Sequence, residues 1–572
     1  MRASCLSLIG RSASLLLVGL SAIAVAQAAE PPRLDVLLSP HSTGGAIDRL
    51  AVKMRLQAPN VAAGQVLLRM PLLLASTPTA AYEANAIQAT DDKGPLALVA
   101  ADEAPTPTGR YRVFKAERSS VGDVEVRYQT PPRAVDAETR NGPLFDLRSE
   151  SGGALGAGVY FFAIPPGDQP QRIDLKWDLS QLPPGSRGVW SFGEGEQIRV
   201  APADTLQFTF YAFGPLKSEP KEGSGNFNLY WLAPPPFDML KLARDTRTLH
   251  DYMSKFFHDG SSSYRVFARA NPYPAGGGTA LHESFMFGYG AGGESAAGTD
   301  LQMLIAHEMS HNWPRLDDKD KHAETAWYTE GTAEYYSSAL SYRAKVIDVA
   351  KFLKVVNSRA DGYYTNPFIA LSNSASGEKF WSDYRAQRVP YGRGFMYFVR
   401  TDALIRARSG GKRSVDDLVL EMQDRQTRGE PGGLDQWREM VARELGEAGV
   451  KDYDDMVAGK MVIPPPNAFA PCLRAVQVKE RPFELGFDEM RLAVVSGLRP
   501  NSAAADAGLA DGDKITSLSK LNDVKSDEAM PLNMTVKRGD KTLNFSFLPR
   551  GTPVDGWRWE RVPGIADERC KF

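Results

Sequence analysis

The chain has 572 residues, with 67 Lys and Arg against 69 Asp and Glu and a formal net charge of −2. That length exceeds what a single hydrophobic core holds, so several domains are expected. Balanced charge excludes the electrostatic footprint of a nucleic-acid binder, and 43% hydrophobic with 10% aromatic residues excludes a disordered scaffold.

The first residues read as an export signal. Arg2 and Arg11 give a basic start, Leu15 to Val25 a short apolar run, and Ala26-Gln27-Ala28 a small-residue cleavage site. The run falls short of the about 20 residues that a bilayer span needs. Residues 1–28 are therefore predicted to be a signal peptide, with an uncleaved anchor as the alternative, and no membrane span is expected once it is removed. The expected location is periplasmic or secreted. Of three cysteines, Cys5 leaves with the signal. Cys472 and Cys570 remain, either paired in an oxidising compartment or as free thiols.

From 30 to 226, short period-two bursts such as Asp123-Val-Glu-Val-Arg-Tyr128 alternate with Pro, Gly and Asp turns, which predicts an antiparallel β domain. Residues 217–225 (KSEPKEGSG) read as a linker or exposed loop. The texture changes at 227. A helix is predicted over 246–257, a strand over 263–268, a glycine-rich loop at 275–279 and a second strand-like run to Phe287. Helices follow at 301–313 and 324–342, and residues 343–465 contain further helical stretches, among them 393–406 and 415–427. A proline run at 463–467 marks the next boundary, and strand-like runs return over 470–572.

The segment Leu304-Ile-Ala-His-Glu-Met-Ser-His-Asn-Trp313 contains H-E-x-x-H. On a helix, residues four apart share a face, so His307 and His311 aim at one point. Two neutral imidazoles suit Zn²⁺, which in a catalytic site takes a third protein ligand and keeps one position open for water. Glu308 stands beside that position, placed to take a proton. Eighteen residues separate His311 from Glu330, enough for the chain to turn and return antiparallel with Glu330 as third ligand. Glu334, one turn further, is placed to accept a hydrogen bond from a ligand histidine. The expected cofactor is one zinc ion per chain.

H-E-x-x-H-N-W, followed after the same spacing by W-Y-T-E-G-x-x-E-Y-Y, resembles the gluzincin zinc metallopeptidases, and within them most closely the glycyl aminopeptidase family. The resemblance implies an N-terminal β domain (30–226), a thermolysin-like α/β catalytic domain (227–342), a helical domain (343–465) and a C-terminal PDZ-like domain (470–572), a multidomain α+β protein overall. It implies zinc-dependent peptide hydrolysis of an aminopeptidase kind. It makes Tyr391, in Pro390-Tyr-Gly-Arg-Gly394, the residue that braces the transition state. A Gly-Gly-x-Glu strand should bind the substrate's amino terminus, but here Ala280 stands in the simplest register. Gly277 and Gly278 keep the glycines, and Glu283 serves only if the strand is shifted. An endopeptidase without a free-amine requirement is therefore the alternative. Phe483-Glu-Leu-Gly-Phe487 resembles the loop in which PDZ domains receive a peptide C-terminus, and 497–513 resembles the following PDZ stretch; a degenerate domain that binds nothing is the other reading. The rival from another class is a non-catalytic peptide-binding protein of PDZ type.

Overall fold

The computed structural model describes residues 30–572 except 107–108, 137–138, 140–141, 222, 273–277, 291–299, 319–320, 381–382, 490–491 and 520. The predicted signal peptide and Gly277 lie outside the described residues.

Period-two patterning builds the N-terminal part. In the strand Arg33–Thr43, Leu34, Val36 and Leu38 are buried at every second position, and the strand pairs antiparallel with Ala46–Leu56. These two lie within a seven-stranded sheet, accompanied by a four-stranded and a five-stranded sheet. The expectation of a wholly antiparallel domain is corrected at one place: Arg33–Thr43 pairs parallel with Gln171–Trp177. Strands so far apart in sequence are not held to hairpin geometry, so a parallel pairing is open to them.

A second five-stranded sheet follows, made of β1 (Lys217–Glu219), β2 (Phe227–Trp231), β3 (Tyr264–Asn271), β4 (Gly278–Leu281) and β5 (Ser284–Gly290), in the order β1-β2-β3-β5-β4. The linker predicted at 217–225 thus begins as an edge strand of this sheet, because Lys217–Glu219 finds a partner in β2 that local composition does not reveal. Strands β2, β3 and β5 run parallel, and all five residues of β2 are buried, as expected for a strand covered on both faces. Phe227, Leu229 and Trp231 face the helices, while Tyr230 joins Phe210 and Met286 in the core shared with the N-terminal part. An ionic clamp crosses the same interface. Arg269 of β3, fully buried, donates to the Asp146 carbonyl (2.8 Å) and to its Oδ1 (2.7 Å), and Arg148 donates to Oδ2 (2.7 Å).

Ahead of the C-terminal region the described α-helices are α1 (Met239–Phe256), α2 (Leu301–Ser310), α3 (His322–Arg343), α4 (Val349–Tyr364), α5 (Asn373–Glu378), α6 (Tyr384–Ser409), α7 (Val415–Thr427) and α8 (Leu434–Val457). One continuous core runs from Phe227 through Leu249, Trp327, Phe398 and Trp437 to Trp559, so the sheet and these helices other than α5 are cemented together. Among the described residues, no helix is long and apolar enough to cross a membrane.

The C-terminal region divides in two. Strands β6 (Leu473–Glu480) and β10 (Val554–Arg561) pair as a ribbon, Cys472 and Cys570 are bonded, and Cys472, Leu473, Trp559 and Cys570 belong to the main core. Asn357 of α4 grips the ribbon by bonding both the carbonyl (2.9 Å) and the amide (2.7 Å) of Trp559. Phe572 stacks on Phe352 with ring centroids 4.3 Å apart, and its carbonyl accepts from Arg343. Between the two ribbon strands, β7 (Lys514–Leu518), β8 (Leu532–Arg538) and β9 (Lys541–Phe547) form a separate sheet over its own small core of Leu485, Phe487, Val495, Val524 and Val536.

Candidate metal centre

Helix α2 opens on Asp300, whose carboxylate accepts the Met303 amide, and it runs for ten residues. His307 on this helix and His311, its C-cap residue still in helical conformation, lie one turn apart on the inner face, as their spacing requires. Helix α3 returns alongside and carries Glu330 and Glu334. His307 Nε2 lies 3.2 Å from Glu330 Oε2 and 3.3 Å from His311 Nε2, and the third side of the triangle, His311 Nε2 to Glu330 Oε2, measures 3.7 Å. Zinc bonds of about 2.0–2.2 Å in a tetrahedron set ligand atoms about 3.3–3.6 Å apart. The triangle fits that requirement. Two imidazole nitrogens and a carboxylate oxygen crowded together satisfy one another poorly as hydrogen-bond partners, whereas a shared cation satisfies all three. Among the described residues this is the group whose donor atoms converge in this way.

The electrostatics agree with a site that wants one cation. Burial alone would lower the basicity of His307, but its bonds to Glu330 and Glu334 raise it; burial, and then the neighbouring His307, lower that of His311. Burial pushes the Glu308 carboxyl up from its ordinary value, with His307 pulling the other way. Glu334 Oε1 lies 3.4 Å from His307 Nδ1, and its Oε2 pairs with Arg359 Nε of α4. Burial would raise the Glu334 carboxyl, but Arg359 and His307 hold it well below the usual range.

Tyr391 reaches the centre from α6. Its ring stacks on His307 with centroids 5.6 Å apart and planes 9° from parallel, and burial followed by the charge of Glu330 raises its hydroxyl well above the ordinary value. The sequence pattern places the start of this helix near Arg393; it begins instead at Tyr384, leaving Pro390 inside. Proline removes an amide and would leave the carbonyl four residues back unpaired. That carbonyl, Ala386 O, accepts from the Ser376 hydroxyl at 3.1 Å, and the helix passes through. Close approach of α6 to α3 depends on two glycines. A Cβ on Gly394 would lie 2.1 Å from Trp327 O, and a Cβ on Gly331 would lie 2.5 Å from Gly394 Cα. Gly331 follows Glu330 directly and Gly394 lies one turn after Tyr391, so this glycine contact sets the distance from phenol to metal ligands.

The glycine strand differs from what a shifted register requires. β4 and β5 form a hairpin turning through His282 and Glu283, and Glu283 adopts a left-handed φ of 48°. Its carboxylate accepts from Ser263 Oγ (2.8 Å) and its carbonyl from the Arg265 amide (3.1 Å). The structure ties Glu283 to the start of β3, at the turn end of the hairpin, and does not bring it to the metal triangle. Two adjacent residues must turn the chain here, so neither continues the strand that the sequence pattern had running to Phe287. Gly278 opens β4 at the sheet edge, where a Cβ would collide with the Phe285 ring at 2.0 Å, and Ala280 is exposed on the same strand. Arg359 was not foreseen from sequence. It lies 25 residues beyond Glu334, in a helix whose contact with the site is purely tertiary, and no local pattern announces it.

No protein-family model matches the chain, and no curated protein matches it. Among solved structures, an aminopeptidase N family protein from Idiomarina loihiensis shares its fold, with a TM-score of 0.60 over 91% of this chain and 97% of the other at 13% identity. An M1 zinc metallopeptidase from Deinococcus radiodurans (TM-score 0.43, 16% identity, 76% of this chain and 95% of the other) and yeast LTA4 hydrolase (0.42, 14%, 76% and 68%) are weaker likenesses that carry no argument. The first places the chain in the fold class of an aminopeptidase N family protein, a mixed α+β architecture with a β-rich N-terminal part and a helical part. At that identity the likeness extends to the fold alone.

Proposed function

We propose that the chain is a zinc metallopeptidase that hydrolyses peptide bonds, aminopeptidase-like in its preference. The observation that carries this reading is the triangle of His307, His311 and Glu330 donor atoms, with Glu308 next to His307 on the same helix and Tyr391 stacked over His307. Zinc held by those three ligands would polarise a scissile carbonyl and make water acidic enough to ionise near neutral pH. Glu308 takes the proton from the attacking water and returns it to the leaving amine. Tyr391, a neutral phenol near neutral pH, donates a hydrogen bond to the oxygen on which negative charge develops. Among the described residues β4 is the edge strand of its sheet, an edge along which an extended peptide can add as a further strand.

The test pairs metal analysis with turnover. About one zinc per chain with chelator-sensitive peptide cleavage is expected, and Glu308→Gln should keep the zinc while losing about 10²–10⁴-fold in kcat. Cleavage at the wild-type rate by Glu308→Gln would overturn the assignment. Endopeptidase action is the second reading, favoured by Ala280 in place of an amine-binding carboxylate and by the engagement of Glu283 with Ser263. Equal cleavage of one peptide with free and with acetylated amino terminus would select it. We also read residues 1–28 as a signal peptide and the location as periplasmic or secreted, which the disulfide between Cys472 and Cys570 supports. The body around 483–547, with its own core and Phe483-Glu-Leu-Gly-Phe487 loop, is read as PDZ-like and as a receiver of peptide C-termini.

A further inference from the structure

Glu334 has two carboxylate oxygens and divides them. Oε1 faces His307 Nδ1 at 3.4 Å, and Oε2 pairs with Nε of Arg359. Arg359 stands on α4, outside the two helices that carry the metal ligands, and its own orientation is fixed from three sides. Nη2 donates to Ser337 Oγ at 3.1 Å, Nη1 lies 3.5 Å from the Val355 carbonyl, and the guanidinium carbon sits 5.5 Å from the centre of the Phe395 ring. Its side chain is 12% exposed and that of Glu334 is 11% exposed, so the pair is shielded from water and holds one geometry. Helix α4 is itself pinned from the other side by the two bonds between Asn357 and Trp559.

We propose that Arg359 is a positioning residue for the metal site, acting through Glu334 to fix the ring orientation and tautomer of His307. A carboxylate that accepts from Nδ1–H leaves Nε2 as the lone-pair nitrogen, and only that tautomer offers Nε2 to the triangle with His311 and Glu330. Glu334 can perform this task only while its carboxylate stays turned edge-on to the imidazole. A carboxylate whose second oxygen is left unheld can rotate away from the imidazole. Arg359 supplies the counter-charge and, because its planar guanidinium is anchored by Nη2 on Ser337 and Nη1 beside Val355 while Nε meets Oε2, the direction. Lysine would supply the charge without the planar geometry.

The inference rests on the zinc-peptidase reading, and the experiment separates the two. Zinc affinity of the full-length protein is measured by competition with a chromogenic chelator for wild type, Arg359→Met, Arg359→Lys, Glu334→Gln and the double variant Arg359→Met/Glu334→Gln. Arg359→Met is expected to weaken zinc binding by about 10–100-fold, the range for loss of a ligand-orienting contact, with Arg359→Lys recovering part of the loss. Because Arg359 acts through Glu334, the double variant should bind zinc no more weakly than Glu334→Gln alone. If Arg359→Met does not fold, the double variant, which leaves neither partner as an unpaired charge, is compared with Glu334→Gln and decides the question. Wild-type affinity in Arg359→Met, or penalties that add in full in the double variant, would overturn the inference while leaving the zinc reading standing. A wild-type protein that binds no zinc would sink both.

Discussion

Gly394→Ala tests the idea that one helix crossing places the phenol over the metal ligands. The new Cβ would lie 2.1 Å from Trp327 O and 2.6 Å from Gly331 Cα. Comfortable contacts of this kind are about 3.5 Å, so α6 and α3 must part by roughly 1–1.5 Å. Both colliding atoms belong to backbone, so no flexible side chain can yield. Overpacking of this severity costs about 3 kcal/mol, and the better helix propensity of alanine offsets about 1, leaving a net loss of about 2 kcal/mol. Function should suffer more than stability. Tyr391 lies one turn from the clash, and a misplacement of about 1 Å near reacting groups costs on the order of 10²-fold in rate. The assay is kcat/KM on a peptide at saturating zinc together with thermal melting and zinc content. The expected result is a lowered melting temperature, a kcat/KM down by about two orders of magnitude, and zinc still bound. Gly362→Ala is the control: it sits in α4 with nothing within 4 Å of its Cβ, and it should be neutral or slightly stabilising. A Gly394→Ala protein with wild-type melting and wild-type kcat/KM would refute the reasoning.

Tyr391→Phe keeps the ring that stacks on His307 and removes only the donor. It should lower kcat by about 10²–10³-fold with KM little changed, and an unaltered kcat in steady-state assays would remove Tyr391 from the mechanism. Asp146 supplies a pH-dependent contribution: burial would raise its carboxyl, but Arg269 and then Arg148 override that and bring it down to about 2. A depressed folded value contributes stability that is present above the unfolded value of about 3.9 and is lost as pH falls through about 2. The gap in denaturation free energy between wild type and Asp146→Asn should therefore narrow by about 2–3 kcal/mol from pH 5 to pH 2, and a gap independent of pH would show that the clamp carries no such charge.

The elements that could be read from the sequence are those whose cause is local. H-E-x-x-H sits on a helix because Asp300 caps it and the turn spacing does the rest, so residue order alone put His307 and His311 on one face. Glu330 and Glu334 follow from the same periodicity on the next helix. The alternation Asp123-Val-Glu-Val-Arg-Tyr128 announced a half-buried strand, and Val124, Val126 and Tyr128 are buried at alternate positions, but it gave no sign that Arg33–Thr43 in the same sheet would take a parallel neighbour.

What only the tertiary structure decided depends on contacts between segments far apart in sequence. The strand at Lys217–Glu219 looked like linker because its partner is another strand, not its own composition. α6 begins seven residues before Tyr391 because Ser376, from another helix, satisfies the carbonyl that Pro390 strands. The strand-like run to Phe287 proved to be a hairpin with Glu283 in its turn, since register is a property of a pair and not of one segment. Arg359 stayed hidden for the same reason. A sequence lists the ligands that periodicity can align, but the charge that orients them comes from whichever helix packs against the site, and packing is settled only when the whole core closes.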